Sequence, residues 1–361
     1  MRIVHILHSH GYGGAESHVL IQIEGQRQRG HDVLFVGPLD SWLGEQCQQR
    51  QIPATHLRMT GLFDLPSHWR LRRLVRSWAP DIVHGHLVRA SYYAGWAAGS
   101  GRSKPAAIST AHTTNALRHM ERCRHIIADS GAIRQNLLTA GYPEDQVSVI
   151  FTGVPRAPAF DREEIRAELG LTPRDIVVGH AGRFIRDKGQ DLLVQTMSMV
   201  QHPHVKLLLI GDPQTEFGRH VQSLPQDRNR LTYLGYRSDV PRLLRALDIY
   251  IQPSRREGLP LAISEAFDAE LPVIATTVGG MPEIVQHNRT GLLTPPECPE
   301  ALATAIDSLA RDRDQARALA LSGKRLFEER LNDQVMVDAT LALYDRVLGQ
   351  LAHARGRTAS S

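Results

Sequence analysis

The sequence predicts an α/β protein made of two parallel-sheet domains. Short apolar runs typical of buried strands alternate along the chain with segments whose apolar residues recur at helical spacing. The chain has 361 residues, enough for two domains with separate cores, and Pro155 and Pro158 mark a linker between the halves. Because ligands bind at the carboxyl ends of parallel strands, we expect functional residues in the loops that follow the strands.

The composition is that of an ordinary globular protein, with 42% apolar and 22% charged residues. The three cysteines form no zinc or redox motif, so we expect a reducing, cytoplasmic environment. No apolar run in the sequence reaches the length of a membrane span, and the N-terminus lacks the apolar core of a signal peptide. The net charge of +4 is small and spread over many arginines, so we expect no nucleic-acid partner.

The first half opens with a predicted strand, residues 1–8, a glycine-rich turn, 11–16, and a helix that reaches about Arg29. Such a turn can bind phosphate or a substrate hydroxyl, and Gly14 is a candidate contact. Glu16 replaces the third glycine of a dinucleotide-binding fingerprint, and no acidic residue closes the next strand, so a nicotinamide cofactor is not expected. The alternative is a tight turn without a ligand.

Three histidines close or follow predicted strands. Residues 81–86 end in His84 and His86, and the strand Ala106–Ala111 is followed by His112. A His-x-His pair can ligate zinc, but no third ligand stands at metal spacing in the sequence. We therefore interpret His84 and His86 as hydrogen-bonded fixtures of the sheet and expect no metal site.

A helix is predicted over residues 67–78, because apolar side chains recur there at helical spacing. The apolar stripe consists of Leu71, Leu74, Val75 and Trp78, and the arginines left mostly outside it are Arg70, Arg72, Arg73 and Arg76. One interpretation is a sheet-covering helix with a solvated basic face. The other is a peripheral dock on an anionic membrane, in which each arginine contributes about 1 kcal/mol and Trp69 lies at the headgroup boundary.

The second half is predicted to begin with a helix, 162–169, and the buried strand Ile176–Ala181. The loop after that strand, 182–189, contains Arg183 and Lys188. Both cations can reach one diphosphate, the arginine as a fork and the lysine as a point charge. The alternative is a solvated loop.

Two glutamates follow the predicted strand 247–251. Glu257 lies in a loop, and Glu265 lies in a helix that Pro260 begins, because the first helical position has no use for the N–H that proline lacks. Free N–H groups near a helix N-terminus attract phosphate, and here they belong to Gly258, Leu259 and Leu261. A ligand with hydroxyls at both ends and phosphate between them, such as a nucleotide-sugar, fits this arrangement.

Glu257 and Glu265, separated by seven residues, resemble the E-x7-E signature of the retaining family-4 glycosyltransferases of the GT-B fold. Further segments follow in the family's order, namely Glu-Gly-Leu-Pro from 257, Glu-Ala-Phe from 265, Leu-Pro-Val-Ile-Ala-Thr from 271, Gly-Gly-Met-Pro-Glu-Ile-Val from 279 and Thr-Gly-Leu-Leu from 290. Residues 182–189 resemble the family's diphosphate-binding turn. The sequence departs from the family at residues 268–270, Asp-Ala-Glu, where a small residue and glycine are usual, which puts the packing of that helix end in question.

The resemblance implies two Rossmann-like, doubly wound parallel-sheet domains that face a central cleft. Residues 1–157 would form the acceptor-side domain and 158–333 the domain that binds the nucleotide-sugar. Residues 334–354 would form a C-terminal helix that crosses back to the first domain, followed by a disordered tail, 355–361. The segment 113–127 is shorter than the insertion that often shapes the acceptor site in the family.

The resemblance also implies the reaction, which is the transfer of a hexose-type sugar from a UDP- or GDP-sugar to a glycan or lipid-linked acceptor in bacterial lipopolysaccharide or polysaccharide synthesis. Arg183 and Lys188 would stabilise the leaving diphosphate, and Glu265 would hold the ribose. Glu257 and His112 would hold and orient the donor sugar. Further donor contacts are implied at Gly14, Gly182, Tyr236, Gly258, Leu259, Pro260 and Leu261. No carboxylate is an obvious covalent nucleophile, so we expect front-face displacement, and no metal is required because the two cations do its work.

Two other functions fit the same residues. A nucleotide-sugar epimerase can share the fold and would use Glu257 as an acid or base. A catalytically silent subunit would bind nucleotide and assist another transferase, although the complete set of glutamates, arginine and lysine argues against it. We expect a cytoplasmic protein, peripheral on the inner membrane face if the arginine-rich helix binds lipid.

Overall fold

The computed structural model describes residues 1–99, 105–113 and 118–359. The chain forms two compact units, one from Met1–Pro155 together with the C-terminal helix, and the other from Arg156–Asn332. Each unit has its own parallel sheet, which confirms the predicted fold class. Residues 114–117 of the segment expected near the acceptor, and residues 360–361 of the predicted tail, lie outside the described residues.

The first unit is built on a seven-stranded parallel sheet. Its strands are β1 (Arg2–Ile6), β2 (Asp32–Gly37), β3 (Ala54–His56), β4 (Ile82–His86), β5 (Ala106–Ala111), β6 (His125–Ala128) and β7 (Val147–Val149). Its helices before the linker are α1 (Gly14–Gln28), α2 (Trp42–Gln49), α3 (Leu65–Trp78), α4 (Leu87–Ala98) and α5 (Gly131–Thr139). The strand order is β3-β2-β1-β4-β5-β6-β7. The loops after β1 and β4 therefore diverge at a switch point, where such sheets bind ligands.

The second unit is built on a six-stranded parallel sheet. Its strands are β8 (Ile176–Ala181), β9 (Val205–Ile210), β10 (Leu231–Gly235), β11 (Ile249–Gln252), β12 (Val273–Thr276) and β13 (Leu292–Thr294). Its helices are α6 (Arg162–Glu168), α7 (Gln190–Met197), α8 (Glu216–Ser223), α9 (Val240–Leu244), α10 (Leu261–Asp268), α11 (Met281–Ile284), α12 (Pro299–Arg311) and α13 (Arg313–Leu326), and a π-helical turn, Phe327–Leu331, follows α13. The strand order β10-β9-β8-β11-β12-β13 puts the switch point between β8 and β11.

The C-terminal helix, α14 (Asp333–Ala359), packs on the first unit. Leu341 and Tyr344 lie in one apolar cluster with Ile3 and Ile82, which are central residues of the sheet. The helix continues past the predicted end at residue 354, which corrects the expectation that a disordered tail begins at 355. Alanine and arginine are frequent in its last turns and favour helix, and no proline interrupts it.

Helix α3 begins two residues earlier than the predicted start at Ser67, because Asp64 is its N-cap. The Asp64 carboxylate accepts hydrogen bonds from Ser67 N at 3.1 Å and from Ser67 Oγ at 2.7 Å. Of the predicted apolar stripe, Leu71 and Val75 are buried and the other two members are half-buried. The predicted periodicity is therefore present, and the face of α3 opposite the sheet stays exposed.

The departure from the family pattern at residues 268–270 has a structural explanation. Asp268 at the end of α10 is buried, and its carboxylate accepts hydrogen bonds of 2.8 Å from Lys324 Nζ and from Ala157 N. Arg245 Nη2 lies 3.4 Å from the same carboxylate. Glu270 takes the left-handed conformation, with a φ of 57°, at the position where glycine commonly ends a helix. An ion-pair network thus replaces the packing of small residues at this helix end.

Candidate functional site

Two loops of the second unit meet at the switch point of its sheet. β8 and β11 are neighbours, so the loops that follow them, 182–189 and 253–260, leave the same edge. Gly189 has a φ of +74°, and a Cβ there would lie 2.3 Å from the carbonyl oxygen of Pro253. Arg255 N donates a hydrogen bond of 2.8 Å to a carbonyl of the first loop. These backbone contacts bring the residues predicted for the diphosphate and for the sugar onto one surface.

Lys188 and Glu257, which the sequence assigns to different parts of the ligand, form an ion pair. Lys188 Nζ donates to Glu257 Oε1, and the same oxygen accepts hydrogen bonds from Ser254 Oγ at 2.9 Å and Gln252 Nε2 at 3.1 Å. The side chain of Glu257 is 9% exposed and that of Lys188 is 20% exposed, so both charges are partly desolvated. Three donors converge on Oε1, which leaves Oε2 as the oxygen that can accept a ligand hydroxyl.

Arg183 presents a cation on a rigid turn. Its side chain is exposed, and it forms no ion pair within the described part of the chain. The backbone is fixed, because Gln190 Nε2 donates to Arg183 O at 2.8 Å. The preceding residue, Gly182, is tightly packed, since a Cβ there would lie 3.1 Å from His180 Nε2. An exposed guanidinium in this setting can bind a phosphate with two parallel hydrogen bonds.

Glu265, the second carboxylate of the signature, is half-buried in α10. Burial, and then the nearby carboxylate of Asp268, raise its pKa to about 7. Burial also raises the pKa of Tyr250 well above its ordinary value, with further contributions from Glu265 and Glu257, so both carboxylates lie near that phenol. No hydrogen bond reaches the Glu265 side chain from the described residues. A partly desolvated carboxylate without donors gains most from a ligand that supplies hydroxyl groups.

The backbone before α10 supplies free donors. The helix begins at Leu261, so Pro260 is its N-cap and not the predicted first residue. The N–H groups of Gly258, Leu259 and Leu261 meet no acceptor within the described ranges. The turn that follows β12 packs closely against this loop, because a Cβ on Gly279 would lie 2.0 Å from the carbonyl oxygen of Glu257. Free N–H groups at a helix N-terminus suit an anionic phosphate.

Tyr236, which follows β10, completes the predicted donor contacts of the second unit. Its ring is 62% exposed, and the turn before it needs Gly235, whose φ is +71°. An exposed aromatic ring at a strand end can stack on a planar base. The second unit therefore has an exposed aromatic ring, two carboxylates, two cations and free backbone N–H groups at the carboxyl edge of its sheet.

Arg255, which the sequence did not single out, braces this surface. Its guanidinium binds both oxygens of Asp191 at 2.7 and 2.8 Å and reaches Glu297 at 2.6 Å. The hydrogen bonds that Arg255 donates, first to Asp191 and then to Glu297, raise the pKa of its guanidinium above its ordinary value. Because Asp191 belongs to α7, the ion pairs tie the loop after β11 to the helix after β8. The partners lie 64 and 42 residues away in the chain, so no local pattern could reveal them.

The histidines predicted at strand ends of the first unit are buried together. His84 hydrogen-bonds Tyr344 Oη at 2.5 Å, and His86 hydrogen-bonds His5 at 2.9 Å and His112 at 3.2 Å. The interpretation of His84 and His86 as hydrogen-bonded fixtures is confirmed. His5, His84, His86 and His112, together with His18 of α1, form one cluster of closely spaced rings.

The structure corrects the expectation that no third nitrogen is available near these histidines. Ring nitrogens of His5, His84 and His86 lie within 4.8 Å of one another, and so do those of His18, His86 and His112. His5 lies on β1 and His18 lies on α1, and folding brings both next to His84 and His86 of β4. The spacing of these histidines in the sequence does not indicate this.

His112, which the resemblance assigns to the donor sugar, has both ring nitrogens engaged. Its Nδ1 lies 2.7 Å from Asp129 Oδ2, and its Nε2 lies 3.2 Å from His86 Nδ1. The side chains of His112 and Asp129 are each 6% exposed. Gly14, the other candidate of this unit, is the first residue of α1, a helix whose N-terminus has no side-chain cap. The first unit thus offers open backbone donors at Gly14 and a fixed ring at His112.

The exposed face of α3 combines aromatic and basic side chains. Phe63, Leu65 and Trp69 are 80%, 74% and 64% exposed. The four predicted arginines, Arg70, Arg72, Arg73 and Arg76, are exposed as well. Three of them line a surface groove of about 340 Å³ together with Trp69 and Ser77. Among the residues that the structure describes, no helix is long and apolar enough to cross a membrane.

Family models match both units. The model described as "Glycosyl transferases group 1" matches residues 161–325, and that described as "Glycosyltransferase Family 4" matches residues 12–157. The lipopolysaccharide core biosynthesis glycosyltransferase LpsD of Rhizobium meliloti is 25% identical over 351 residues, which are 96% of this chain and 98% of LpsD. The alpha-maltose-1-phosphate synthase of Mycolicibacterium smegmatis is 32% identical over 254 residues, which are 63% of this chain and 64% of that enzyme.

Solved structures share the fold. Anabaena HepE in complex with UDP and glucose superimposes with a TM-score of 0.82 at 22% identity and covers 96% of this chain and 100% of its own. HepE in complex with UDP-glucose gives a TM-score of 0.80 at 23% identity over 99% of this chain and 100% of HepE. Sucrose-phosphate synthase from Thermosynechococcus elongatus gives 0.79 at 21% identity, with 97% and 99% of the chains covered. The predicted GT-B class is confirmed.

Proposed function

The chain belongs to the group 1, family-4 glycosyltransferases, and on that premise we propose that it transfers a hexose-type sugar from a nucleoside-diphosphate sugar to a glycan or lipid-linked acceptor, with retention of configuration. The observation that carries the proposal is the ion pair of Lys188 with Glu257 beside the half-buried Glu265 at the switch point of the second sheet. One cation and two carboxylates in this order match a diphosphate flanked by a sugar and a ribose.

In the proposed reaction, Arg183 and Lys188 stabilise the negative charge that grows on the diphosphate as its bond to the sugar breaks. Glu257 binds a hydroxyl of the donor sugar through Oε2, while its Oε1 keeps Lys188 in place. Glu265 accepts hydrogen bonds from the ribose hydroxyls. The acceptor hydroxyl attacks the anomeric carbon on the face that the diphosphate leaves, and its proton passes to a phosphate oxygen. Configuration is then retained without a covalent intermediate.

Two cations next to the diphosphate do the work that a metal ion does in other transferases, so we propose that this transfer needs no metal. The test is turnover in the presence of a chelator. Loss of activity with EDTA, followed by recovery with a divalent ion, would overturn this part of the proposal.

The donor proposed is a UDP- or GDP-sugar. Support comes from HepE, which is similar in fold and whose solved structures contain UDP and UDP-glucose. The acceptor proposed is a glycan or lipid-linked saccharide of the bacterial surface, in line with relatives named for lipopolysaccharide core synthesis, LpsD and LpsB of Rhizobium meliloti.

The test is incubation of the protein with UDP- and GDP-sugars, with and without a crude cell-envelope acceptor, and measurement of the free nucleoside diphosphate. Acceptor-dependent release, absent in Glu257→Gln, supports a transferase, and NMR of the product's anomeric proton reports retention. Conversion of the donor sugar without release would identify an epimerase. Nucleotide binding without either reaction would identify a silent subunit.

We also propose that α3 holds the protein on an anionic membrane. The support is the juxtaposition of exposed Phe63, Leu65 and Trp69 with the four exposed arginines, Arg70, Arg72, Arg73 and Arg76. Arginine attracts anionic headgroups and aromatic rings favour the headgroup boundary. A lipid-linked acceptor at the inner leaflet would then lie close to the first unit.

A further inference from the structure

A continuous line of hydrogen bonds runs through the core of the first unit and ends at His112. Its three imidazoles, His5, His86 and His112, form a histidine relay. His5 Nδ1 lies 2.9 Å from His86 Nε2, and His86 Nδ1 lies 3.2 Å from His112 Nε2. His5 and His86 are fully buried, and the side chain of His112 is 6% exposed. Because these imidazoles are shielded from water, the position of the proton on one ring affects the position of the proton on the next.

The relay has the geometry of hydrogen bonds and not of metal ligation. The ring centroids are 5.2 Å apart for His5 and His86, and 5.5 Å apart for His86 and His112. Each centroid separation exceeds the matching nitrogen–nitrogen distance by the same amount, about twice the distance from a ring's centre to its nitrogen. Each pair of hydrogen-bonded nitrogens therefore lies on the line between the two ring centres. Nitrogens that share a tetrahedral metal ion point at the ion and not at each other.

The direction in which hydrogen bonds are donated along the relay is set at its other end, by side chains of α14 and α1. Thr340 Oγ1 donates its only hydrogen to Met336 O at 2.8 Å, so it accepts from Gln22 Nε2 at 2.9 Å. Gln22 Oε1 then accepts from Gln26 Nε2 at 3.0 Å. This orientation leaves Gln26 Oε1 facing His5 Nε2 at 2.8 Å, and an amide oxygen there requires the proton on His5 Nε2.

The same logic continues through the imidazoles. With its proton on Nε2, neutral His5 accepts at Nδ1, so His86 carries its proton on Nε2 and accepts at Nδ1. His112 must then donate from Nε2 to His86. It must also donate from Nδ1 to the carboxylate of Asp129 at 2.7 Å. A ring that donates from both nitrogens is an imidazolium.

The reverse direction would leave Asp129 without a cation. Among the described residues, the titratable groups that interact with His112 are His18 of α1, His84 and His86 of β4, and Asp129 after β6. Burial lowers the pKa of His18 to about 3 and the pKa values of His84 and His86 well below their ordinary value, so these rings are neutral. Asp129 is 5% exposed, and within the described residues its one ion-pair partner is His112. A buried carboxylate next to neutral rings alone is costly.

We infer that the histidine relay holds His112 as an imidazolium paired with Asp129, and that His5, His86 and Gln26 are positioning residues which fix the proton count and orientation of that ring. The protonation state rests on the hydrogen-bond directions and on the neutral state of buried His5 and His86, whereas the effect on sugar transfer rests on the proposed function. Because both nitrogens of His112 are taken, the ring serves the donor through its fixed charge and shape and not as a proton acceptor.

The protonation state is tested on the full chain labelled with 15N-histidine. Long-range 1H–15N spectra at neutral pH should give His112 two protonated nitrogens, identified by their loss in His112→Asn. His86→Phe removes the acceptor of the Nε2 proton, and His112 should change to the one-proton pattern. The control His84→Gln alters the same buried cluster outside the relay and should leave the His112 signals unchanged. A neutral His112 in the unmodified protein, or relay signals that shift on addition of Zn²⁺, overturns the inference.

The positioning role is tested by sugar transfer. His86→Phe should lower kcat about tenfold or more with a smaller change in donor KM, because a displaced group in a site can cost on the order of 10²-fold. His86→Gln should recover most of the loss, since its amide can accept from His112 and donate to His5. Unchanged kcat in His86→Phe overturns the positioning role. Two protonated nitrogens on His112 without any transfer reaction would leave the relay intact and refute the proposed function.

Discussion

Single residues of the second unit supply the charges on which the proposed nucleotide site depends. Glu257 keeps Lys188 on the surface formed by the two loops, and the pair is partly desolvated. Arg183 is exposed and forms no ion pair within the described residues, so its guanidinium is available to an anionic ligand. Glu265 is a carboxylate whose pKa is raised by burial and then by the nearby carboxylate of Asp268. Arg183 and Glu265 therefore keep hydrogen-bonding capacity that a ligand can use.

Lys188→Ala and Arg183→Ala should each lower turnover by about 10²-fold or more, the scale for losing a preorganised charge stabiliser. Binding of the nucleoside diphosphate should weaken more than binding of the plain nucleoside, measured by calorimetry. Arg186→Ala, which removes an exposed arginine from the same loop, is the matched control and should stay near the unmodified rate. Equal losses of affinity for both ligands would show that Arg183 and Lys188 do not face the diphosphate.

Glu265→Gln and Glu257→Gln should impair different steps. Glu265→Gln should weaken nucleotide binding with or without a sugar attached, by roughly 1.5–3 kcal/mol for a lost charge-assisted hydrogen bond. Glu257→Gln should keep affinity for the nucleoside diphosphate, because Lys188 is freed for it, but should cut turnover of the nucleotide-sugar. Calorimetry and steady-state kinetics separate the two. Swapped phenotypes would refute the assignment of ribose to Glu265 and sugar to Glu257.

Nucleotide affinity should depend on pH through Glu265. Its pKa of about 7 means that the carboxyl is largely protonated at pH 6 and largely ionised at pH 8. The ionised form accepts stronger hydrogen bonds from ribose, so affinity for UDP should rise several-fold over this range. Glu265→Gln cannot titrate, and its remaining pH dependence reports the phosphate of UDP itself. Identical profiles for both proteins would remove Glu265 from the nucleotide site.

At the scale of elements, the predicted site residues of the second unit lie on loops at the edge of its sheet. The exposed arginines of the first unit lie on one helix, α3. The loops after β8 and β11 are joined by backbone contact at Gly189 and by Arg255, so they behave as one support. Helix α3 buries Leu71 and Val75 and leaves its arginines outside. Burial of one face explains the helix, and the exposed arginine and aromatic side chains on the other face are the basis of the membrane proposal.

The membrane proposal for α3 predicts salt-sensitive binding to vesicles that contain anionic lipid and little binding to neutral vesicles. Replacing the four arginines, Arg70, Arg72, Arg73 and Arg76, with glutamine should abolish this binding and leave activity on a soluble acceptor fragment intact. A control with Arg311, Arg313, Arg317 and Arg325 replaced removes the same charge from the second unit. Sedimentation with vesicles measures both. Equal binding by the two variants, or no preference for anionic lipid, would leave α3 an ordinary surface helix.

At the scale of the molecule, each unit has its own hydrophobic core, and α14 is part of the core of the first unit. Tyr344 of α14 is fully buried in a cluster with Ile3 and Ile82, residues that lie more than two hundred positions earlier. The same helix supplies Thr340 to the hydrogen-bond line that ends at His112. The C-terminal helix is therefore part of the first unit in packing and in hydrogen bonding.

Tyr344→Ala should destabilise the first unit by on the order of 3 kcal/mol or more, the usual cost of removing a large buried ring. Urea unfolding, monitored with a separate spectroscopic probe in each unit, measures this loss of stability. Separate probes are needed because the two units need not unfold in one transition. Asp345→Ala, on the exposed side of α14, should change the transition by less than about 0.5 kcal/mol. Equal midpoints for the two variants would show that α14 contributes little to the core.

The sequence by itself determined the fold class, the family and most element positions of this protein. Alternating strands and helices specify parallel sheets, because buried strands and amphipathic helices leave local patterns of residues. The strands Ala106–Ala111 and Ile176–Ala181 have the bounds that their apolar runs predict. The ordered motifs from Glu257 to Thr290 likewise sit in one continuous stretch, so they could be recognised without coordinates.

Only the tertiary structure decided which side chains act together. Lys188 and Glu257 are 69 residues apart, His5 and His86 are 81 apart, and Gln22 and Thr340 are 318 apart, so no spacing in the chain marks them as partners. The ends of helices were also decided by particular contacts, as with Asp64 before α3 and Asp268 at the end of α10. The physical reason is that hydrogen bonds and ion pairs act over a few ångströms in space, and folding sets that distance independently of separation along the chain.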